Sequence, residues 1–236
     1  MKRSEINASI QKMEQLIQRQ GVQLPPFCKW TPMEWASKGP EYNEIRDNML
    51  GWDITDYGQG DFQHIGFALI TLRNGKLNSD IYPKPYAEKL LMLQEDQYSP
   101  MHFHWYKMED IINRGGGTAL IRVYNATDDD GFANTDVRIL KDGRAFYVPA
   151  GTQVRLEPGE SITIYPRLYH DFSVEQGSGD ILLGEVSMCN DDLTDNRFNP
   201  PMGRFPAVEE DEPPYRLLCT EYPVGDSSYL DCEITS

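Results

Sequence analysis

Residues 101–109 read Met-His-Phe-His-Trp-Tyr-Lys-Met-Glu, a strand-like run in which two histidines lie two positions apart. Side chains two apart on a β-strand leave the same face, so His102 and His104 can share one cation. Glu109 follows at an odd spacing and joins them only if the chain turns or bulges near its middle. His170 occupies a comparable strand-edge setting much later in the sequence. Three imidazoles and one carboxylate suit a divalent transition metal, so these residues predict a metal site.

On both sides of this stretch, short β-like runs alternate with turn residues such as Asn-Gly, Asp-Gly and Pro-Gly. The predicted strands cover residues 65–72, 86–93, 101–108, 118–124, 137–140, 145–149, 161–165, 170–174 and 181–188. Many short strands without long helices between them favour an antiparallel sandwich or barrel.

The two ends of the chain have a different character. Apolar residues recur at helical spacing over residues 6–17, and Thr31 has the features of a helix cap. We therefore expect a helical segment over residues 1–60 that packs on a β-barrel of residues 61–190. Residues 191–236 are acidic and rich in proline, which predicts an extended segment whose last residues are loose.

The composition excludes several classes of partner. The 236 residues include 37 acidic and 22 basic side chains, for a formal charge of −15, and such a surface repels nucleic acid. No run approaches the ~18 apolar residues that a membrane span needs, and residues 1–5 lack the apolar core of a secretion signal. The four cysteines are widely spaced and form no CxxC motif, which fits a reducing compartment. We expect a soluble cytoplasmic protein that binds neither nucleic acid nor membrane.

The predicted metal ligands resemble the two motifs of the cupin superfamily. The first motif, HxHx3-4E followed by glycine, is similar to residues 102–117, although its leading glycine is missing. The second, PxGx2H, is similar to residues 165–170, with Leu168 in place of the usual glycine. This resemblance implies a mostly β, cupin-type antiparallel barrel of the jelly-roll kind. It also implies that four residues hold a metal inside that barrel: His102, His104, Glu109 and His170.

A closer resemblance is to the D-lyxose isomerase family of cupins, from the first helix to the region of Phe205. The similar runs are residues 86–89, 102–111, 184–192 and 195–198, whereas the tail beyond Val224 lies outside the match. The family implies interconversion of D-lyxose with D-xylulose, and of D-mannose with D-fructose more slowly. It further implies a manganese-dependent homodimer, although the same ligands leave cobalt, nickel and zinc open.

The expected reaction moves a proton between C1 and C2 of the sugar through an enediol, which requires a base and a cation that stabilises the oxyanion. Glu185 and Lys89 are both predicted to face the barrel interior, and we expect them to form an acid–base pair across the cavity. The alternative for this pair is an internal salt bridge. Asp180, Asp192 and Arg197 are further candidates for binding sugar hydroxyls. A hydride shift between C1 and C2 is a rival mechanism.

Two other functional classes share the cupin motifs. Another metal cupin enzyme, such as a dioxygenase or decarboxylase, would use the same ligands and depend on oxygen. A non-catalytic sugar-binding cupin is commonly joined to a helix-turn-helix module, for which the sequence offers no basic pair of helices. Because barrels of this kind host unrelated chemistries, the choice of a sugar isomerase rests on the family resemblance.

Overall fold

The computed structural model describes residues 1–224, so the predicted loose end of the chain lies outside the described residues. The helices are α1 (Arg3–Arg19), α2 (Pro32–Trp35) and α3 (Asn43–Asp47), together with 3-10 turns at Pro26–Lys29 and Pro40–Tyr42. None of the described helices is long and apolar enough to cross a bilayer. The helix expected over residues 6–17 is confirmed by α1, and Thr31 Oγ caps α2 by accepting from the backbone N–H of Glu34 at 3.2 Å.

The described residues form thirteen strands. They are β1 (Gly51–Thr55), β2 (Phe67–Arg73), β3 (Tyr86–Leu93), β4 (Tyr98–Phe103), β5 (Glu109–Gly116), β6 (Ala119–Asn125), β7 (Val137–Lys141), β8 (Arg144–Val148), β9 (Gln153–Leu156), β10 (Ser161–Ile164), β11 (Leu168–Val174), β12 (Ile181–Met188) and β13 (Arg197–Phe198). Strands β1, β5, β9 and β13 were not predicted. β1, β9 and β13 are only five, four and two residues long, and β5 has polar residues at two of its inward positions, Glu109 and Asn113.

Two antiparallel sheets form the body of the protein. The larger sheet has the order β1-β2-β3-β12-β5-β10-β7-β8, and the smaller has the order β13-β4-β11-β6-β9. Their facing sides enclose one apolar core, which includes Ile111 and Leu183 from the larger sheet and Ile121 and Phe172 from the smaller. The prediction of a mostly β, antiparallel fold is therefore confirmed.

Helix α1 covers the outer face of the larger sheet with a second apolar core. Its buried residues Ile6, Ile10 and Met13 join Leu90 from β3 and Leu182 from β12 in this core. The helix explains why β3 and β12 are apolar on both faces over part of their length, since one face meets the barrel interior and the other meets α1.

The terminal segments belong to the same body. β1 pairs with β2 from Gly51 onward, so the larger sheet begins before the expected boundary at residue 61. β13, in the expected extended segment, pairs with β4. The guanidinium of Arg3 in α1 contacts the carboxylates of Glu210 at 2.6 Å and Glu221 at 2.5 Å, which ties the C-terminal segment to the N-terminal helix.

Candidate metal centre and acid–base residues

Three of the predicted metal ligands meet at one end of the barrel interior. His102 on β4 and His170 on β11 are directly opposite each other in the smaller sheet, and His104 follows the end of β4. One ring nitrogen from each residue lies within 4.8 Å of the others, and all three side chains are buried. This cluster has the composition and spacing to hold a metal ion.

A backbone carbonyl fixes the orientation of each imidazole. The Nδ1 atoms lie at hydrogen-bond distance from the carbonyl oxygens of Pro100 (His102, 2.8 Å), Asp195 (His104, 2.9 Å) and Leu168 (His170, 3.0 Å). A carbonyl can only accept, so Nδ1 carries the proton and Nε2 keeps its lone pair in each neutral ring. Burial, with the neighbouring His170 and His104, holds the pKa of His102 well below its usual value. All three rings thus offer Nε2 as a ligand.

Glu109 supplies the carboxylate from the opposite sheet. Its Oε1 lies 3.2 Å from Nε2 of His170, and its Oε2 lies 3.5 Å from Nε2 of His104. Nε2 of His170 is nevertheless buried without a hydrogen-bond partner among residues 1–224, because it and Glu109 Oε1 are both acceptors. A buried acceptor that faces another acceptor is costly, and a bound cation would be coordinated by both. The donor set therefore fits a divalent transition metal.

The turn between His104 and Glu109 replaces the strand predicted over residues 101–108, which is wrong beyond Phe103. The carboxylate of Asp195 accepts the backbone N–H groups of Tyr106 at 2.9 Å and Lys107 at 3.0 Å. These bonds occupy donors that a continued strand would direct to its neighbour, so the chain leaves the smaller sheet and β5 starts in the larger one. Asp195 therefore orients His104 through its carbonyl and the turn through its side chain.

Glu185 and Lys89 are cross-strand partners on β12 and β3. Both side chains are buried, with Lys89 Nζ 3.2 Å from Glu185 Oε1. Lys107 completes the group, because its Nζ lies 3.0 Å from Glu185 Oε1 and 2.7 Å from Glu109 Oε2. Burial favours the neutral lysine, but the two carboxylates outweigh it and raise the pKa of Lys107. Burial likewise opposes ionisation of Glu185, but Lys107 and Lys89 lower its pKa. Lys107 thus links the pair of Lys89 and Glu185 to Glu109, one of the predicted metal ligands.

Comparison with known proteins gives the family. The sequence model described as D-lyxose isomerase matches residues 1–222. The D-lyxose/D-mannose isomerase of Serratia proteamaculans is 47% identical over 223 residues, which cover 94% of this chain and 98% of that protein. The chain belongs to the D-lyxose isomerase family. As a member of this family it is a sugar isomerase, as the sequence predicted.

Two further similarities are consistent with this family. The D-lyxose/D-mannose isomerase of Escherichia coli O157:H7 is 44% identical over 223 residues, with the same coverage of 94% and 98%. Among solved structures, the L-ribose isomerase of Cellulomonas parahominis with L-ribose has a TM-score of 0.59 at 15% identity and covers 89% of this chain and 98% of that one. At this identity the structural likeness concerns the fold alone, which is cupin-like, as expected.

Lys107 is a residue of this D-lyxose isomerase family member that the sequence analysis did not single out. It lies two residues before Glu109, inside the stretch already noted for its histidines. Its position between His104 and Glu109, two residues predicted to face the interior, was the available clue in the sequence. Whether its side chain is buried depends on the turn that Asp195 stabilises. In an uninterrupted strand, Lys107 would lie on the face opposite to His102 and His104, so there was no reason in the sequence to expect it in the interior.

The three residues predicted to bind sugar hydroxyls lie in three different places. Asp192 lines a small cavity of about 40 Å³ that is also lined by Lys89, Lys107 and Glu185, and with Lys107 it also lines a cleft of about 480 Å³ that can admit a sugar. Asp180 lies next to the opposite end of β12, where its carboxylate contacts Nζ of Lys12 at 2.8 Å.

Arg197 follows a different course. Its Nε lies 3.9 Å from a carboxylate oxygen of Asp130, and its Nη1 donates to the carbonyl of Phe198 at 2.7 Å. It is not among the residues that line the 40 Å³ cavity, whereas Arg204, seven positions later, is. Of the three candidates, the structure brings only Asp192 to this cavity.

Proposed function

We propose that this protein is a metal-dependent aldose–ketose isomerase that interconverts D-lyxose and D-xylulose, and D-mannose and D-fructose more slowly. The arrangement that carries the proposal is the placement of Glu185, between Lys89 and Lys107, in the same cavity as His102 and His104. The two relatives at 47% and 44% identity, both D-lyxose/D-mannose isomerases, support the choice of sugars.

Four residues would hold the metal, for which manganese is our choice and cobalt, nickel and zinc are alternatives: His102, His104, Glu109 and His170. When bound there, a divalent cation supplies a Lewis acid that stabilises negative charge on the sugar oxygens. The fixed orientation of the imidazoles means that the chain holds its ligand atoms in place before any ion arrives.

In the aldose-to-ketose direction, C2 of the open-chain sugar loses a proton and C1 gains one. We assign the transfer to Glu185, whose buried carboxylate is kept ionised by Lys107 and Lys89 and is therefore available as a base. Lys89 donates a proton toward the sugar oxygens and takes it back as the enediol collapses. Lys107 contacts both Glu185 and Glu109, which fixes the base relative to the metal ligands.

The test of the reaction is direct. Manganese-loaded protein is incubated with D-lyxose and assayed for D-xylulose, with a chelator-treated sample as the control. We expect turnover that disappears with the metal and does not depend on oxygen. Oxygen consumption without ketose formation would instead indicate a dioxygenase. Sugar binding by the loaded protein without any product would indicate a binding protein.

Heavy water separates the two mechanisms of isomerisation. Proton transfer through Glu185 exposes the transferred hydrogen to exchange with solvent, so the ketose should contain deuterium at C1. A complete absence of deuterium in the product at partial conversion would contradict the role of Glu185 and favour the hydride shift.

The family resemblance further implies a homodimer in the cytoplasm. Light scattering of the purified chain would test the first part of this proposal, since a dimer has twice the 27.1 kDa mass of one chain.

A further inference from the structure

Arg204 occupies an unusual position in the C-terminal segment. Its side chain is 10% exposed and lines the 40 Å³ cavity together with His102, Lys89 and Asp192. Nothing in the proton transfer proposed above uses this residue. A buried guanidinium in a reaction cavity therefore requires its own explanation.

Most of the Arg204 side chain is held by neighbours. Its Nη2 donates to Asp53 Oδ2 at 2.5 Å, and its Nε donates to Asp192 Oδ1 at 3.4 Å. The hydroxyl of Thr55 donates to its backbone carbonyl at 2.7 Å, which fixes the main chain at this position. The guanidinium plane is thus set from two sides before any ligand binds.

The third nitrogen of the guanidinium is not satisfied. Nη1 is buried and has no hydrogen-bond partner in the part of the chain that the structure describes. An unsatisfied donor on a charged group is among the more costly features of a protein interior, and a ligand oxygen in the cavity would complete it.

The surrounding charges select the kind of oxygen. Asp53 and Asp192 both pair with the guanidinium of Arg204, so an anion placed beside Nη1 would lie close to two carboxylates. Burial lowers the pKa of Arg204, but the two carboxylates outweigh it and keep the guanidinium charged. A neutral hydroxyl fits this environment, whereas a phosphate or carboxylate would be repelled by the two aspartates.

We propose that Arg204 positions the sugar by donating from Nη1 to a hydroxyl on C3, C4 or C5 of the open chain. C1 and C2 carry the reacting groups, which belong to the metal ligands and Glu185, so Arg204 holds the unreactive part of the molecule. The inference rests on the proposed function and adds to it the residue that orients the unreactive part of the sugar.

The test pairs a protein change with a substrate change. Arg204→Met keeps the length of the side chain and removes every donor, and the substrates are D-lyxose and its 3-, 4- and 5-deoxy analogues. We expect kcat/KM for D-lyxose to fall about 10- to 100-fold in the variant. One deoxy analogue should show a similar loss with the wild-type protein but no further loss with Arg204→Met, because the same hydrogen bond has been removed from either side.

Two controls separate positioning from loss of structure. Arg204→Met should retain the manganese affinity of the wild type, since the predicted metal ligands are untouched. Asp53→Asn weakens the anchor of Arg204 but keeps Nη1, so one deoxy analogue should remain selectively penalised in that variant. If Arg204→Met does not fold, Arg204→Met combined with Asp53→Asn removes the facing buried carboxylate charge as well and takes its place in the same comparison.

The outcomes distinguish this inference from the proposed function. Turnover of D-lyxose by the wild type, combined with independent losses for all three analogues in Arg204→Met, would overturn the role of Arg204 alone. If the wild type neither turns over nor binds D-lyxose in calorimetry, the proposed function and this inference both fall. Tighter competition by D-mannose 6-phosphate than by D-mannose would contradict the preference for a neutral hydroxyl.

Discussion

The two ends of the barrel interior are built on the same strands but from opposite kinds of residue. On β12 the inward positions run from Leu183 to Glu185, and on the adjacent β3 they run from Leu91 to Lys89. Leu183 pairs with Leu91, and Glu185 pairs with Lys89, so the change from apolar to charged occurs at one level across both strands. The strands are the same scaffold for two regions that are stabilised differently.

The apolar end is stabilised by removal of side chains from water, which depends on volume more than on identity. The charged end contains four carboxylates against three basic side chains, a formal balance of 3 − 4 = −1. These groups are Glu109, Glu185, Asp192, Asp53, Lys107, Lys89 and Arg204. Each buried charge offsets the desolvation cost of its oppositely charged neighbours. Removal of one member therefore leaves another charge buried and unpaired, which is destabilising. A divalent cation would reverse the sign of the remaining charge. We therefore expect the apolar end to tolerate substitutions that preserve side-chain volume, and the charged end not to tolerate the loss of a charged side chain.

The largest effect is expected at the metal ligands. His170→Ala removes a fully buried imidazole from the centre of the cluster, and turnover of D-lyxose should fall at least about 10³-fold because the Lewis acid is lost. Manganese should raise the unfolding temperature of the wild type and leave that of the variant unchanged. Equal manganese stabilisation of both proteins would show that the ion binds elsewhere.

Glu185→Gln tests the charged end without removing a metal ligand. The amide keeps the shape but cannot accept the proton, so kcat should fall about 10²- to 10⁴-fold with manganese still bound. Lys89→Met is the matched variant across the strand pair. A loss of only a few fold in both variants would mean that this pair is an internal salt bridge.

Leu183→Ala tests the apolar end two residues away on the same face. Leu183 is fully buried, and its truncation should lower the free energy of unfolding by about 2–5 kcal/mol in a urea titration. The folded variant should keep kcat within a few fold of the wild type and the same thermal shift with manganese. A loss of activity like that of Glu185→Gln would break the distinction between the two ends.

The smallest effect is expected for Asp195, which touches the ligands only from outside. Asp195→Ala removes the acceptor for the Tyr106 and Lys107 amides but keeps the carbonyl that orients His104. Manganese affinity, followed by titration with a competing chelator, should fall about 10- to 100-fold. Asp80→Ala, a change at an exposed aspartate outside this turn, is the control and should leave the affinity unchanged.

Sequence reasoning reached the fold because periodicity is local. The helical spacing over residues 6–17 and the alternation of residues 86–93 are visible in any short window, and both elements exist as predicted. The two-residue spacing of His102 and His104, which places both side chains on one face of a strand, is equally local. The structure brings these two residues together with His170.

The parts of the site that sequence reasoning missed depend on contacts between distant segments. Lys107 lies in a turn whose backbone N–H donates to the carboxylate of Asp195, 88 residues further along the chain. Arg204 reaches the cavity, whereas Arg197 pairs with Asp130, and both lie in a region whose course has no periodic pattern. Charge alone gives no distinction between two such arginines, since each can be neutralised in either place.

The order of the segments along the chain has a consequence for biosynthesis. The histidines and Glu109 emerge from the ribosome well before Arg204, and Arg3 cannot complete its contacts with Glu210 and Glu221 until these residues have followed. A nascent chain therefore contains all four predicted metal ligands before Asp195, which orients His104, and Arg204, which lines the cavity, have been made. The ion-binding residues are encoded early, and one wall of the sugar cavity is encoded late.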